Sequence, residues 1–536
     1  MLRMRQAAFF LFAALAWSDT YPRQSAIDVE HYVFRLTLTD ESDEISGEAT
    51  VTVRFRQAGA TGLALDLASP LKGKGMTVST VTGPGGTALT YSHESDKLVI
   101  SMAPAPAAGD RRDVTVKYRG TPGSGLRIDN NKHGERTFFG LNWPNLARQW
   151  LPMIDHPYEK ATSEFLVTAP SHYQVVANGL LIEERDLGGG KRLTHWKQSV
   201  PISSWLNAIG VAQFSVRHVG QVRGTPLETW VYHQDVTAGA STFEEPARKA
   251  LEFFTDRIGP YPYEKLANVQ AAGLSGGTEH ASAIFYGEAS VNAKPATTLV
   301  AHEIAHQWFG DSITENDWDD VWLSEGFATY FTLLATEHYE GRDAFVAGLG
   351  RAKQTVAEAQ KKAPEQPIIH RNLGEMSKVL NRLVYQKGAW VLHMLRGEMG
   401  TERFWAGIRD YYARYRDRNV STDDFRAVME QHHGRNLQWF FDQWLRRPGW
   451  PTVEGGWHYD GVSKKLVVEL EQKQTAEVYR LPLELAIGSG EARRIERLEM
   501  TEKRQRFEFT LEKAPGPSVM LDPNIWVLMD ARFEAR

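Results

Sequence analysis

Apolar and polar residues alternate at every second position over much of the first two hundred residues. Ala49, Val51, Val53 and Phe55 stand between Thr50, Thr52, Arg54 and Arg56, the period of a half-buried strand. Phe34, Leu36 and Leu38 repeat the pattern, as do Val114, Val116 and Tyr118, with turn sequences such as Thr82-Gly83-Pro84-Gly85-Gly86 between them. The alternation persists to about Val216 and predicts an antiparallel β-sandwich-like domain. The period then lengthens. Ala247, Ala250, Leu251, Phe254 and Ile258 follow helical spacing from Pro246 to Gly259, and Phe404, Ile408, Tyr411, Tyr412 and Tyr415 do so again. Helical patterns run to about Arg447. Arg446-Arg447-Pro448-Gly449 reads as a linker, after which Leu466-Val468-Leu470 and Phe507-Phe509-Leu511 return to period two. The predicted organisation is α+β and multidomain. An N-terminal β-domain occupies residues 17–217, a mainly helical domain 218–447, and a small C-terminal β-sandwich domain 448–536.

The first residues follow a different rule. Arg3 and Arg5 precede an apolar run from Ala7 to Trp17, and Ala14-Leu15-Ala16 supplies a small-x-small cleavage site. That is the layout of a signal peptide, here residues 1–16, so an exported protein is expected, periplasmic or secreted. No later stretch reaches the roughly 18 apolar residues of a membrane span. The chain has no cysteine, which excludes disulfides and leaves only His, Asp and Glu to build a metal site. A formal charge of −5 on 536 residues, with no basic block, gives nucleic-acid binding no support.

The chemistry concentrates in His302-Glu303-Ile304-Ala305-His306. On a helix, residues four apart share one face, so both imidazoles project together, a bite suited to one Zn²⁺. Glu303 lies on the neighbouring flank, placed to act as general base toward water rather than as a ligand. The alternative for the five residues alone is a helix that happens to carry two histidines. Catalytic zinc takes three protein ligands and keeps one position open. Glu325, inside the apolar run Trp322-Leu323-Ser324-Glu325-Gly326-Phe327-Ala328, is a carboxylate that burial would penalise without a partner.

With eighteen residues between His306 and Glu325, the sequence resembles the gluzincin aminopeptidases, the family of aminopeptidase N and leukotriene hydrolase. His306-Gln-Trp-Phe-Gly310, Trp322 to Ala328, Gly259-Pro-Tyr-Pro-Tyr263, Gly276-Gly-Thr-Glu-His280 and Val384-Tyr-Gln-Lys-Gly388 all resemble its motifs, in its order. The likeness runs from about Asp28 to the end. It implies a thermolysin-like catalytic domain with one zinc per chain on His302, His306 and Glu325. It also implies that Glu303 and Tyr385 are catalytic, Tyr385 donating to the oxyanion. Glu279, with Gly276 and Gly277, would bind peptide substrates by their free N-terminus. Asp320 matches a family aspartate that would orient a zinc-bound histidine; a plain helix-surface carboxylate is the alternative.

The chain departs from the family pattern at Thr278 and His280, where methionine and asparagine are usual. Trp143 stands where a second amine anchor is expected. The chain stops after the second β-domain, without the C-terminal helical domain usual in the family, so a more open cleft is expected. An endopeptidase on the same site, an epoxide hydrolase and a non-catalytic interaction protein remain as rival readings.

Overall fold

The computed structural model describes residues 19–369, 374–489, 493–515 and 518–536. The expected signal peptide, residues 1–16, lies outside the described residues. The alternating segments form the strands expected of them. Ile27–Thr37, Ile45–Phe55 and Arg111–Thr121 lie side by side in a seven-stranded sheet. In full its order is Leu180–Gly188, Lys191–Ser203, Lys160–Pro170, Ile27–Thr37, Ile45–Phe55, Arg111–Thr121 and Gly75–Thr82. One pairing is not antiparallel: Ile27–Thr37 runs parallel to Lys160–Pro170. Phe34, Val51, Val53, Val114 and Val116 turn inward and are fully buried, while Arg54 and Thr115 point out. A four-stranded and a three-stranded sheet complete this region.

Among the described residues the helices are α1 (Val236–Arg257), α2 (Thr297–His306), α3 (Trp322–Glu340), α4 (Arg342–Lys362), α5 (Gly388–Met399), α6 (Thr401–Tyr415), α7 (Thr422–His433) and α8 (Gln438–Leu445). α1 begins ten residues before the expected start at Pro246 and runs through that proline. Its buried face, Phe243, Ala247, Ala250, Leu251 and Phe254, outweighs the one backbone bond a proline removes. None of the described helices is long and apolar enough to cross a membrane.

A five-stranded sheet lies between the N-terminal region and the helices, and periodicity does not reveal it. Its order is Phe214–Val222, Thr225–Tyr232, Leu266–Ala271, Ala283–Gly287 and Gly277–Thr278. The first strand runs through the expected boundary at residue 217. Both faces are covered: Val269 and Phe285 pack into the N-terminal core, whereas Leu266, Ile284 and Tyr286 pack into the helical core. Strands buried on both sides read as apolar runs without alternation. Beyond the linker, strands between Thr452 and Ala535 form a four-stranded and a three-stranded sheet. Their apolar side chains, among them Leu466, Leu483 and Met500, join the helical core.

Candidate active site

α2 holds His302 and His306 one turn apart, and their rings stand nearly perpendicular with centroids 4.7 Å apart. α3 packs against α2 and presents Glu325 to both of them. His302 Nε2 and His306 Nε2 are 3.2 Å apart, and Glu325 Oε2 lies 3.4 Å from the first and 3.3 Å from the second. A tetrahedral metal with bonds of about 2.0–2.1 Å has ligand–ligand edges of about 3.3–3.4 Å. The triangle therefore fits one zinc with a fourth position free. Nε2 of His306 is the ring atom turned toward that triangle. Its Nδ1 sits 3.2 Å from the Phe309 carbonyl, which can only accept, and 3.0 Å from the Ser324 hydroxyl. Nδ1 thus carries a proton, and Nε2 is the atom presented to Glu325. Burial opposes ionisation of Glu325, but His306 and His302 outweigh it and hold the carboxyl at about 2.

Glu303 lies within 4.8 Å of both Glu279 and His306 and is only 4 % exposed. Burial first, and then Glu279, push its carboxyl well above the usual range. The edge strand Gly277–Thr278 passes directly over it. A Cβ on Gly277 would lie 2.4–2.5 Å from the Glu303 carboxyl group, so the backbone approaches there because the residue is glycine.

Glu279 follows that strand, buried at 6 % exposure, with its carboxyl raised by burial and then by Glu325. The loop carrying it is fixed to α2 by Gln307. The amide Nε2 of Gln307 donates to the Glu279 carbonyl at 2.9 Å and to Asp311 Oδ2 at 2.7 Å; its Oε1 accepts from Ser282 N at 2.9 Å. The Tyr261 hydroxyl lies 2.9 Å from the same Oε1, and Trp308 Nε1 donates to the Gly259 carbonyl at 3.1 Å. These contacts give two of the recognised motifs a physical reason: Gly259–Tyr263 and His306–Gly310 clamp each other behind the site. Sequence reasoning misses Gln307 and Ser324. Both sit inside recognised motifs, and only the tertiary contacts reveal their roles.

Tyr385 stands in a π-helical turn, Leu383–Lys387, that leads into α5. Its ring stacks on His302 at 6.1 Å and an interplanar angle of 19°. Burial, and then the Glu325 carboxylate, raise its phenol pKa, which keeps it a hydrogen-bond donor. Its placement depends on two glycines. A Cβ on Gly388 would come within 2.9 Å of the Gly326 Cα, and one on Gly326 within 3.0–3.1 Å of Gly388 backbone and the Val384 carbonyl. α3 and α5 thus touch backbone to backbone beside Glu325 and Tyr385. Gly388→Ala is expected to lower stability by about 1–3 kcal/mol, as overpacking does. It should also lower turnover by up to about 10²-fold, by shifting Tyr385 relative to Glu325. Thermal melts and kcat of the variant check this; an unchanged kcat would show that the crossing does not position the tyrosine.

Asp320 differs from expectation, and two of the departures from the family pattern, His280 and Trp143, take packing roles. Asp320 neither touches a zinc-ligand histidine nor lies free on a helix surface. Its carboxylate accepts from Thr422 N at 3.1 Å and from Thr422 Oγ1 at 2.6 Å, tying the start of α3 to the start of α7. His280 is fully buried, edge-on to Phe285 at 4.9 Å; burial lowers its pKa to about 3, so it is neutral. Trp143 packs edge-on between Trp205 and Trp318, with centroids 4.5 and 4.9 Å away, and brings no acceptor for an amine.

An HExxH helix, a glutamate from the next helix and a β-domain leaning on a mixed sheet define a site of the zinc metallopeptidase class. Comparison with known proteins narrows the class. The model "Peptidase M1 N-terminal domain" matches residues 28–206, and "Peptidase family M1 domain" matches 244–444. The chain belongs to peptidase family M1. It is 29 % identical over 329 residues to human glutamyl aminopeptidase, covering 58 % of this chain and 34 % of that protein. It is 25 % identical over 462 residues to aminopeptidase A of Gloydius brevicauda, covering 82 % and 48 %. The chain thus spans about a third to a half of these relatives. The crystal structure of an M1 zinc metallopeptidase from Deinococcus radiodurans superposes with a TM-score of 0.69 at 26 % identity, covering 79 % of this chain and 94 % of that one. A mutant of the Deinococcus enzyme is described as bound to a Tyr-Ser-Ala substrate; it gives a TM-score of 0.68 at 26 % identity, covering 79 % and 94 %.

Proposed function

We propose that this chain is a zinc aminopeptidase that hydrolyses the first peptide bond of peptides with a free N-terminus. The observation that carries the exopeptidase reading is Glu279. It is a buried carboxylate beside Glu303 and His306 to which, among the described residues, no Lys or Arg is paired. A substrate α-ammonium is the cation that would compensate it. A group held there fixes which carbonyl faces the metal ligands.

His302, His306 and Glu325 would hold the zinc, which when bound supplies Lewis-acid polarisation and a water acidic enough to attack at neutral pH. The remaining work falls to this chain's own residues. Glu303 takes the proton from the attacking water and passes it to the leaving amine. Tyr385 donates a hydrogen bond to the oxygen on which charge develops. Among the described residues the outer edge of Gly277–Thr278 carries no strand, and with Gly276 it would bind an extended peptide by backbone hydrogen bonds.

Turnover of an aminoacyl-arylamide beside its N-acetylated form tests the reading. Losing a charge-assisted contact costs about 1.5–3 kcal/mol, so acetylation is expected to lower kcat/KM by about 10–10²-fold or more. Equal rates on both would favour an endopeptidase. The finer domain reading accompanies this proposal: a sandwich-like unit at 17–217, a thermolysin-like unit at 218–447 and a C-terminal β-sandwich at 448–536. Export is proposed on the charged and apolar pattern of the first seventeen residues.

A further inference from the structure

The Glu279 carboxylate accepts no hydrogen bond from any other described residue, so the backbone that carries it sets where it points. Gln307 of α2 holds that backbone on one side. On the other side, three residues further on, stands Ser282, fully buried with a backbone φ of 64°. It takes the third place of a turn closed by Ala283 N donating to the His280 carbonyl at 3.0 Å. A residue other than Gly or Asn is strained at such a φ. Serine is kept there with all its polar groups engaged. Its nitrogen donates to Gln307 Oε1 at 2.9 Å, and its carbonyl accepts from Ala267 N at 3.0 Å and from Lys265 Nζ at 3.3 Å. Its hydroxyl accepts from Gly179 N at 2.7 Å and lies 3.4 Å from Lys265 Nζ. The same buried ammonium donates to the Ala177 carbonyl at 3.0 Å, and Asn178 Nδ2 donates to the Ala281 carbonyl at 2.7 Å. Ala177, Asn178 and Gly179 lie at the end of the strand Gln174–Ala177, in the N-terminal β-region. Glycine would adopt this φ without strain, so the turn itself does not call for the hydroxyl.

We propose that Ser282, backed by Lys265, is a positioning residue for Glu279, through which the N-terminal β-region sets how strictly the site demands a free α-ammonium. The proposal rests on the aminopeptidase reading of Glu279 given above. Gln307 ties the loop to α2, which carries two of the metal ligands, and Ser282 ties it to Gly179. Only His280 and Ala281 separate Glu279 from Ser282, so the carboxylate has little freedom while both holds persist. Removing the hydroxyl frees one hold and leaves α2 and α3 untouched. The carboxylate then shifts relative to the metal ligands, and a displacement of about 1 Å in a positioning group costs up to about 10²-fold. That loss falls on ligands that present an ammonium and spares those that do not.

Inhibition by an amino-acid hydroxamate and by its N-acetylated form reads the amine contact by itself, because both offer the same metal-binding group and only the first an ammonium. The parent protein is expected to prefer the free form. In Ser282→Gly, which suits the left-handed φ, that preference is expected to fall by about 10-fold or more, with zinc content and inhibition by the N-acetylated form nearly unchanged. Lys265→Met leaves the Ser282 hydroxyl in place and is expected to lower the preference by less; it carries the test if glycine at 282 impairs folding. A preference retained in the folded variants would overturn the proposal. So would equal weakening of both inhibitors, which marks general support of the site rather than placement of Glu279. A parent with no preference would refute the reading of Glu279 itself, and this inference with it.

Discussion

Replacing Glu303 with glutamine is expected to lower kcat by about 10²–10⁴-fold, the range for removing a general base, while the protein stays folded and keeps its metal. The reasoning is local. Glu303 is one residue from His302, but it is not one of the three converging ligand atoms. Glutamine has the same shape, so it fits beneath Gly277, where space is so tight that a single Cβ would collide with the carboxyl group. What glutamine lacks is a site that accepts and returns a proton. KM should change far less than kcat, because the proposed substrate contacts lie on Glu279 and the edge strand. A variant within tenfold of the parent in kcat would show that the proton goes elsewhere.

The second large effect concerns Glu325→Ala. The two histidines would remain, but a site with two protein ligands leaves zinc weakly held. Activity is expected to fall by more than the roughly 10–10²-fold that loss of an outer-shell partner such as Ser324 would cause. A thermal signature separates this from simple misfolding. Ligands that bind the native state raise its stability with concentration, so added zinc should raise the melting temperature of chelator-treated parent protein and leave that of Glu325→Ala nearly unchanged. An equal response of both proteins would mean that the metal is held by other groups.

Much of this site is legible in the amino-acid sequence because its chemistry is local along the chain. Two histidines four apart on a helix share a face wherever that helix is placed, and Glu303 between them follows automatically. Glu325, Glu279 and Tyr385 are separated from that helix by long stretches of chain, and the last two are identified through the family resemblance. The fold brings all of them within reach of His302 or His306. What stays hidden in the sequence depends on contacts distant along the chain. Gln307 reads as one more polar residue in a motif until Glu279, Ser282 and Asp311 surround it. Gly326 and Gly388 are ordinary helical glycines until two backbones meet there. Leu266–Ala271 and Ala283–Gly287 give no period-two signal because a sheet covered on both faces has no polar side to mark it. Asp320 shows the converse: its motif position suggests a histidine partner, whereas the folded chain uses its carboxylate to hold Thr422.

The proposed hydrolysis depends on His302, His306 and Glu325 gripping a divalent ion. Elemental analysis of the protein purified without chelator or added metal tests that most directly. One zinc per chain, lost in the Glu325→Ala variant, is the expected result. A parent protein with no bound metal, or with zinc that persists after Glu325 is removed, would contradict it.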